Sequence, residues 1–191
     1  QDDEPICRSL HDLLSEADIV IGHNGDKFDL KKVNTRFLKH DLGPVAPYQS
    51  VDTLKVAKQH FAFTSNRLDA LGQFLGVGQK VETGGMDLWM RCMDNDPDAF
   101  EKMSEYNIGD ITLLEDVYLK LRPWINNHPN LGLYNDNEEP TCPKCGSQNL
   151  HRRGERQTLT QIYARYQCQD CGGWARGRTT ELPKHRRRSI L

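Results

Sequence analysis

The chain has 191 residues, a hydrophobic share of 37% and a formal net charge of −2, enough for one domain with a real core plus a small appendage. No apolar run approaches a membrane span, and no basic-then-apolar leader is present. The charge is unevenly spread: residues 142–191 hold eleven Lys/Arg against three Asp/Glu, about +8, and residues 1–141 hold about −10. An acidic body joined to a basic C-terminal module fits a protein whose module helps to hold a polyanion. The chain opens on Gln1 rather than Met, which reads as processing, a tag or truncation.

Taken in order, Ile6, Leu10, Leu13 and Leu14 form a helical stripe over Pro5–Glu16, with Pro5 suited to a first turn. Asp18–Gly22 reads as a short buried strand. Leu30, Val33, Phe37 and Leu38 return to helical spacing over Asp29–Leu42, which Gly43-Pro44 stops. Ser50–Leu54 is a second short strand leading into a helix over Lys55–Phe61. Arg67–Leu75 reads as a helix started by Thr64-Ser65-Asn66 and closed by Gly76. Residues 96–122 form a long helical stretch, expected to bend near Asn107–Gly109 and to end at Pro123. Asn126–Pro140 is polar and turn-rich, a linker. Strands alternating with helices imply an α/β layer with parallel strands.

Two aspartates carry the chemistry. Asp29 ends Asn24-Gly25-Asp26-Lys27-Phe28-Asp29, after the first strand and at the start of a helix. Asp110 ends Tyr106-Asn107-Ile108-Gly109-Asp110, one helical turn beyond a tyrosine. Carboxylates from distant elements, with a phenol beside one, suit divalent cations that cleave phosphodiesters, since Mg²⁺ and Mn²⁺ prefer hard oxygen ligands. Taken singly, each has a plainer reading: Asp29 as a charge favoured by a helix N-terminus, Asp110 as a solvated helix residue, Tyr106 as a core aromatic.

The strings Asn-x-x-x-Phe-Asp and Tyr-x-x-x-Asp resemble the second and third motifs of the DEDD superfamily of 3′–5′ exonucleases, ribonuclease-H-like, in its tyrosine subclass. Val51-Asp52-Thr53-Leu54 and Leu68-Asp69-Ala70-Leu71 fall between them, as similar strings do in that family, and the likeness covers about residues 8–122. The resemblance implies a two-metal Mg²⁺ or Mn²⁺ site with Asp29 and Asp110 as ligands and Tyr106 orienting the attacking water. Asn24 would hold the local turn or touch substrate, and Phe28 would pack beneath the metals or against the terminal nucleotide. His23 reads either as a substrate contact or as a satisfied buried histidine. Asp52 and Asp69 fit capping or supporting roles better than ligation, and Asp26 and Lys27 fall at the pocket rim.

The family's first motif, Asp-x-Glu on an opening strand, has no convincing counterpart. Asp2-Asp3-Glu4 matches literally, yet it lacks apolar strand residues, precedes Pro5 and lies too close to the second motif. The expectation is therefore an N-terminally incomplete ribonuclease-H-like α/β domain over residues 1–124, with Asp18–Gly22 left as an exposed strand edge. Two carboxylates in place of four should bind metal weakly. This polypeptide alone is expected to show little nuclease activity unless an upstream segment or a subunit supplies the missing motif.

Cys142-Pro143-Lys144-Cys145-Gly146 and Cys168-Gln169-Asp170-Cys171-Gly172 resemble the two knuckles of a zinc ribbon. Four thiolates suit tetrahedral structural Zn²⁺, and Gly after each second Cys permits the positive φ of such turns; iron or disulfides are the alternatives. Paired cysteines without a leader imply a reducing, cytoplasmic setting. The 22 residues between the knuckles fit a hairpin, with Gln161–Gln167 as one arm. The expected layout is a linker over 125–140, the small β ribbon over 141–178 and a basic tail over 179–191. Arg152, Arg153, Arg156, Arg165, Arg176 and Arg178, interleaved with Tyr163, Tyr166 and Trp174, suggest phosphate contacts with base stacking, against a plain solvated basic surface. The whole reads as the C-terminal part of a 3′–5′ exonuclease acting on nucleic-acid 3′ ends, single-stranded DNA before RNA. Its rivals are an inactive nucleic-acid binder of the same fold and a ribbon that docks an acidic protein.

Overall fold

The computed structural model describes residues 2–80, 85–136 and 139–187, and two compact units divide them, Gln1–Leu121 and Arg122–Leu191. In the first, the stripe after Pro5 becomes α1 (Glu4–Glu16), which buries Cys7 and Leu14. Strand β1 (Ile19–Gly22) follows, then α2 (Asp29–Lys39) and β2 (Gln49–Asp52). Cys7, Leu14 and Phe37 form a core with Leu10, Val20 and Val33 packed around it, so α1 and α2 share one apolar layer against β1. β2 runs directly into α3 (Thr53–His60), and α4 (Leu68–Leu75) ends at Gly76 with φ +66, the left-handed cap a glycine adopts without strain. The start of α4 differs from expectation: Arg67 stands at the cap position and makes no side-chain cap.

The long helix α6 (Pro97–Leu121) stays helical through Asn107–Gly109, and a 3-10 turn, Arg122–Trp124, follows it. It buries Leu113, Val117, Tyr118 and Leu121 and packs against α3, α4 and α5 (Met86–Met93). The sequence pattern does not announce helix α5. It buries Leu88 and Cys92 against Ala99 and Met103 of α6. α4 approaches α6 closely at Gly72, where an added Cβ would lie 2.6 Å from Leu113 Cδ1 and 2.7 Å from the Gly78 carbonyl.

β1 and β2 pair in parallel, Ile19 opposite Gln49 and Gly22 opposite Asp52. Among the described residues β2 is the only strand paired with β1, and all four β1 residues are half-buried. Asp2, Asp3 and Glu4 are occupied around α1: Asp2 caps the Glu4 N–H at 3.0 Å, Glu4 pairs with Arg8 at 2.6 Å, and Asp3 binds Arg36 and His40.

The second unit holds a three-stranded antiparallel sheet, β3 (Leu150–Gln157), β4 (Ile162–Cys168) and β5 (Trp174–Thr180), in that order. The expected single hairpin is thus one strand short. β5 runs on to Thr180, and Leu182 beyond it is 1% exposed. In the stretch read as a linker, Ile125 is buried and the Leu131 N–H donates to the Pro143 carbonyl at 2.8 Å. Of the expected basic tail, residues 188–191 lie outside the described residues. No helix is long and apolar enough to cross a membrane among the described residues.

Candidate functional site

The parallel register sets the C-terminal ends of β1 and β2 side by side, the edge where open α/β sheets bind ligands. Asp52 joins the two exits. Its Oδ1 accepts from Leu54 N–H at 3.0 Å, capping α3, and from Asn24 N–H at 2.9 Å. Asn24 has φ +66, a conformation Asn tolerates better than most residues. Its carbonyl accepts from Phe28 N–H at 3.1 Å, closing the turn that starts α2 with Asp29 in its first turn. The turn is tight enough that a Cβ on Gly22 would lie 3.4 Å from Gly25 Cα.

This turn and the middle of α6 face a common space. Asp29 and Asp110 both line a cavity of about 570 Å³, together with His23, Asp26, Asp52 and Lys80. A larger, open cleft of about 1250 Å³ shares His23, Leu68 and Lys80 with it and adds Asn24, Lys58 and Arg67. Tyr106 lines neither but reaches both through Lys80. Phe28 lines neither; it is 51% exposed, with Lys32 Nζ 4.3 Å from its ring centre. Asp26 sits at the rim, bound to Ser50 and Lys55.

Lys80 is the residue that the sequence motifs do not reveal. Its ammonium donates to Asp110 Oδ2 at 2.6 Å and to the Tyr106 hydroxyl at 3.2 Å. Its backbone N–H donates to Asp69 Oδ1 at 2.8 Å, and Gln73 holds the other Asp69 oxygen at 2.8 Å. Partial burial works against the charge on Lys80, but the hydrogen bonds to Asp110 and Tyr106 prevail and hold its pKa above the ordinary lysine value. The signal for Lys80 is tertiary, since Asp69 ties the segment after Gly76 back onto α4.

His23 is fully engaged by the protein. Its Nε2 lies 2.9 Å from the Asn66 carbonyl, which only accepts, so Nε2 carries a proton. In the neutral ring Nδ1 is an acceptor 2.9 Å from the Thr53 hydroxyl, and it competes with the Gly22 carbonyl, 3.0 Å away, for that hydroxyl's single proton. Burial lowers the pKa of His23 and favours that neutral form. As placed, the ring has no spare nitrogen for a ligand.

Hard oxygen donors thus meet a cation already seated on one of them. Asp52 Oδ2 is buried and lacks a hydrogen-bond partner among the described residues, an unsatisfied carboxylate oxygen on a residue lining the same cavity. Among the described residues, groups of three or more ligands close enough for one ion are the four cysteines and Asp3–Cys7–His40. Asp29 and Asp110 are in neither group. Asp3 already carries the Arg36 guanidinium, so that second group is an ion-pair network between α1 and α2.

The cysteines converge. Cys142 Sγ lies 3.7 Å from Cys171 Sγ, and Cys145 Sγ lies 3.6 Å from Cys168 Sγ. These are far beyond a disulfide length of about 2.05 Å. They match the edge of about 3.8 Å in a tetrahedron with metal–sulfur bonds of about 2.3 Å. The two knuckles repeat one geometry: Gly146 N–H donates to Cys142 O at 2.8 Å and Gly172 N–H to Cys168 O at 3.0 Å. Gly146 and Gly172 have φ +75 and +74, as each turn requires. Burial raises the Cys142 pKa, whereas at Cys168 burial is outweighed by backbone N–H groups of Cys171 and Asp170, which bring it to about 7. Lys144, 7% exposed, directs its ammonium to the Pro123 carbonyl beside these thiols.

Comparison with known proteins adds two findings. A family model described as RNase_H superfamily matches residues 1–122. The "DNA polymerase III PolC-type" of Ureaplasma parvum serovar 3 is 28% identical over 114 residues, 60% of this chain. The chain spans only 8% of that relative's length.

Proposed function

The chain belongs to the RNase_H superfamily, and from that premise we propose that it carries the nuclease site of a divalent-metal-dependent 3′–5′ exonuclease acting on single-stranded DNA. The observation that supports this most directly is the shared cavity of Asp29 and Asp110, elements remote in sequence, with Lys80 bridging to Tyr106. That the relative is named as a DNA polymerase favours DNA over RNA.

In this reading Asp29 and Asp110 hold Mg²⁺ or Mn²⁺, which when bound supplies charge neutralisation and a water of lowered pKa. Tyr106 orients the attacking water through its hydroxyl. Lys80 leaves Asp110 and turns to the phosphate, a movement within its own side chain. His23 and Asn24 shape the passage between cavity and cleft, and Phe28, exposed beside it, is available to stack on a nucleotide. Lys58 and Arg67 follow the DNA backbone along the open cleft. Two carboxylates leave the cation shell short. A further strand bearing acidic residues, from another part of the protein or from a partner, would fit the β1 edge that no strand covers among the described residues. Without it the chain is expected to digest little.

The second unit, in the same reading, is a structural Zn²⁺ ribbon held by Cys142, Cys145, Cys168 and Cys171, and it contributes to holding nucleic acid. One observation favours a rival, an inactive binder of the same fold: Lys80 already neutralises Asp110. Incubation of a 5′-labelled single-stranded oligonucleotide with Mg²⁺ or Mn²⁺, with the acidic strand supplied, separates the two. A ladder shortening from the 3′ end, lost in Asp110→Ala, is expected. An intact oligonucleotide under those conditions leaves the inactive binder.

A further inference from the structure

The three strands of the second unit carry six arginines and a single glutamate, Glu155. Their distribution between the faces follows from register, because residues opposite each other across antiparallel strands point to the same side. Ala164 and Cys168 of β4 are buried, and Ala164 stands opposite Glu155. Tyr163, Arg165 and Gln167 therefore face the other way. Their partners are Arg156 on β3, opposite Tyr163, and Arg176 and Trp174 on β5, opposite Arg165 and Gln167. Glu155 points to the Ala164 side, and β4 and β5 contain no acidic residue.

On this outer face the aromatic rings and guanidinium groups are interleaved. Arg176 lies 4.2 Å from the Tyr163 ring centre, and Arg165 lies 5.0 Å from that of Trp174. Arg165 also donates through Nε to the Arg153 carbonyl at 2.8 Å, which fixes its plane. Neither Arg165 nor Arg176 pairs with a carboxylate among the described residues. Trp174 is nonetheless 47% exposed and Arg165 and Arg176 are exposed. A solvated basic surface needs no aromatic rings. A surface for an acidic peptide needs charge, whereas an exposed Trp174 and a half-buried Tyr163 spaced between cations match the alternation of base and phosphate in an unpaired strand.

We propose that this face, centred on Tyr163, Arg165, Trp174 and Arg176, is a docking platform for single-stranded DNA, whose bases stack on the two rings while its phosphates meet the arginines. The proposal rests on reading the second unit as a nucleic-acid-binding one, and it is independent of hydrolysis at Asp29 and Asp110. It excludes duplex DNA as the preferred ligand, because paired bases do not present their faces to a flat sheet.

The test is fluorescence anisotropy of labelled oligo(dT) with the full, zinc-loaded chain and no added Mg²⁺, titrated over a range of NaCl. Trp174→Ala and Tyr163→Ala are each expected to weaken binding about 5- to 150-fold, with Trp174→Phe retaining most of it. Arg165→Gln with Arg176→Gln should lower the slope of log affinity against log salt by about 0.7 for each phosphate no longer neutralised. Zinc content and far-ultraviolet circular dichroism of each variant establish that the ribbon stays folded. Unchanged affinity in the folded ring variants overturns the proposal. So does equal binding of duplex DNA or RNA, or displacement of oligo(dT) by polyglutamate at matched charge. Anisotropy without Mg²⁺ reports binding alone, and hydrolysis is read separately, with Mg²⁺ and the acidic strand supplied. Failure of the platform and failure of the nuclease reading therefore give different results.

Discussion

Lys80 places an ammonium against the carboxylate that the nuclease reading needs for a metal. Both partners of the pair are about one-third exposed, 31% and 26%, so their attraction is screened and worth at most about 1 kcal/mol. Its sign is firm across working pH: with the pKa of Lys80 raised, the ion pair is complete below the ordinary lysine value of about 10.4 and dissolves only as pH climbs past the raised one. Lys80→Met should therefore tighten Mn²⁺ binding by up to about 5-fold at pH 7, read by calorimetry; weaker binding would remove Lys80 as a competitor. In the sequence, the motif strings place Asp29 at the start of one helix and Tyr106 and Asp110 a turn apart on another, because that spacing is local. Lys80 is not legible there, since it meets its partners 26 and 30 residues away through a loop whose path follows from Asp69.

Among the elements, helices announce themselves where an apolar stripe meets a core, as in α1, α2 and α4. α5 escapes notice because only Leu88 and Cys92 of its eight residues are buried, while Met86, Trp89, Met90 and Met93 are exposed. β3 escapes for a related reason: seven of its eight residues are exposed, so no alternation marks it, and its pairing with β4 is what makes it a strand. Two predictions belong at this scale. At Gly72, α4, α6 and the loop bearing Lys80 meet, and a methyl group would strike both Leu113 and the Gly78 carbonyl. Gly72→Ala should cost about 1–3 kcal/mol, measured by urea unfolding, whereas a silent substitution would mean the loop yields freely. Asp3 ties α1 to α2 through Arg36 and His40, and the hydrogen bond from Arg36 followed by that from His40 holds its carboxyl well below the usual range. A depressed carboxyl contributes stability above its unfolded value of about 4 and loses it as pH falls toward the folded one. The Tm gap between the parent chain and Asp3→Asn should accordingly be open at pH 6 and close on acidification toward pH 2; a gap independent of pH would show that the carboxylate charge contributes nothing.

At the level of the whole molecule, the charge split along the sequence carries over to the structural one: Gln1–Leu121, the α/β unit, holds about −8 and Arg122–Leu191, the β unit, about +6. Each has its own buried residues, Leu71 and Val117 in the first, Ala164 and Leu182 in the second. The second is small, and small folds lean on metal to a degree that large ones do not. A zinc chelator should therefore melt the β unit while the α/β unit keeps its transition, seen as loss of protease resistance beyond Arg122 alone. Loss of both together would mean that the units fold as one. The four sulfurs set a practical condition on any such experiment. Their approaches at 3.6 and 3.7 Å both run from one knuckle to the other, so stripped thiols exposed to air are poised to close crosswise by exchange or oxidation. A preparation aged in that way would keep its outline and refuse its ion, and heat-stability alone would pass it as sound. Counting reactive sulfhydryls, batch by batch, is the assay that tells the stapled protein from the competent one.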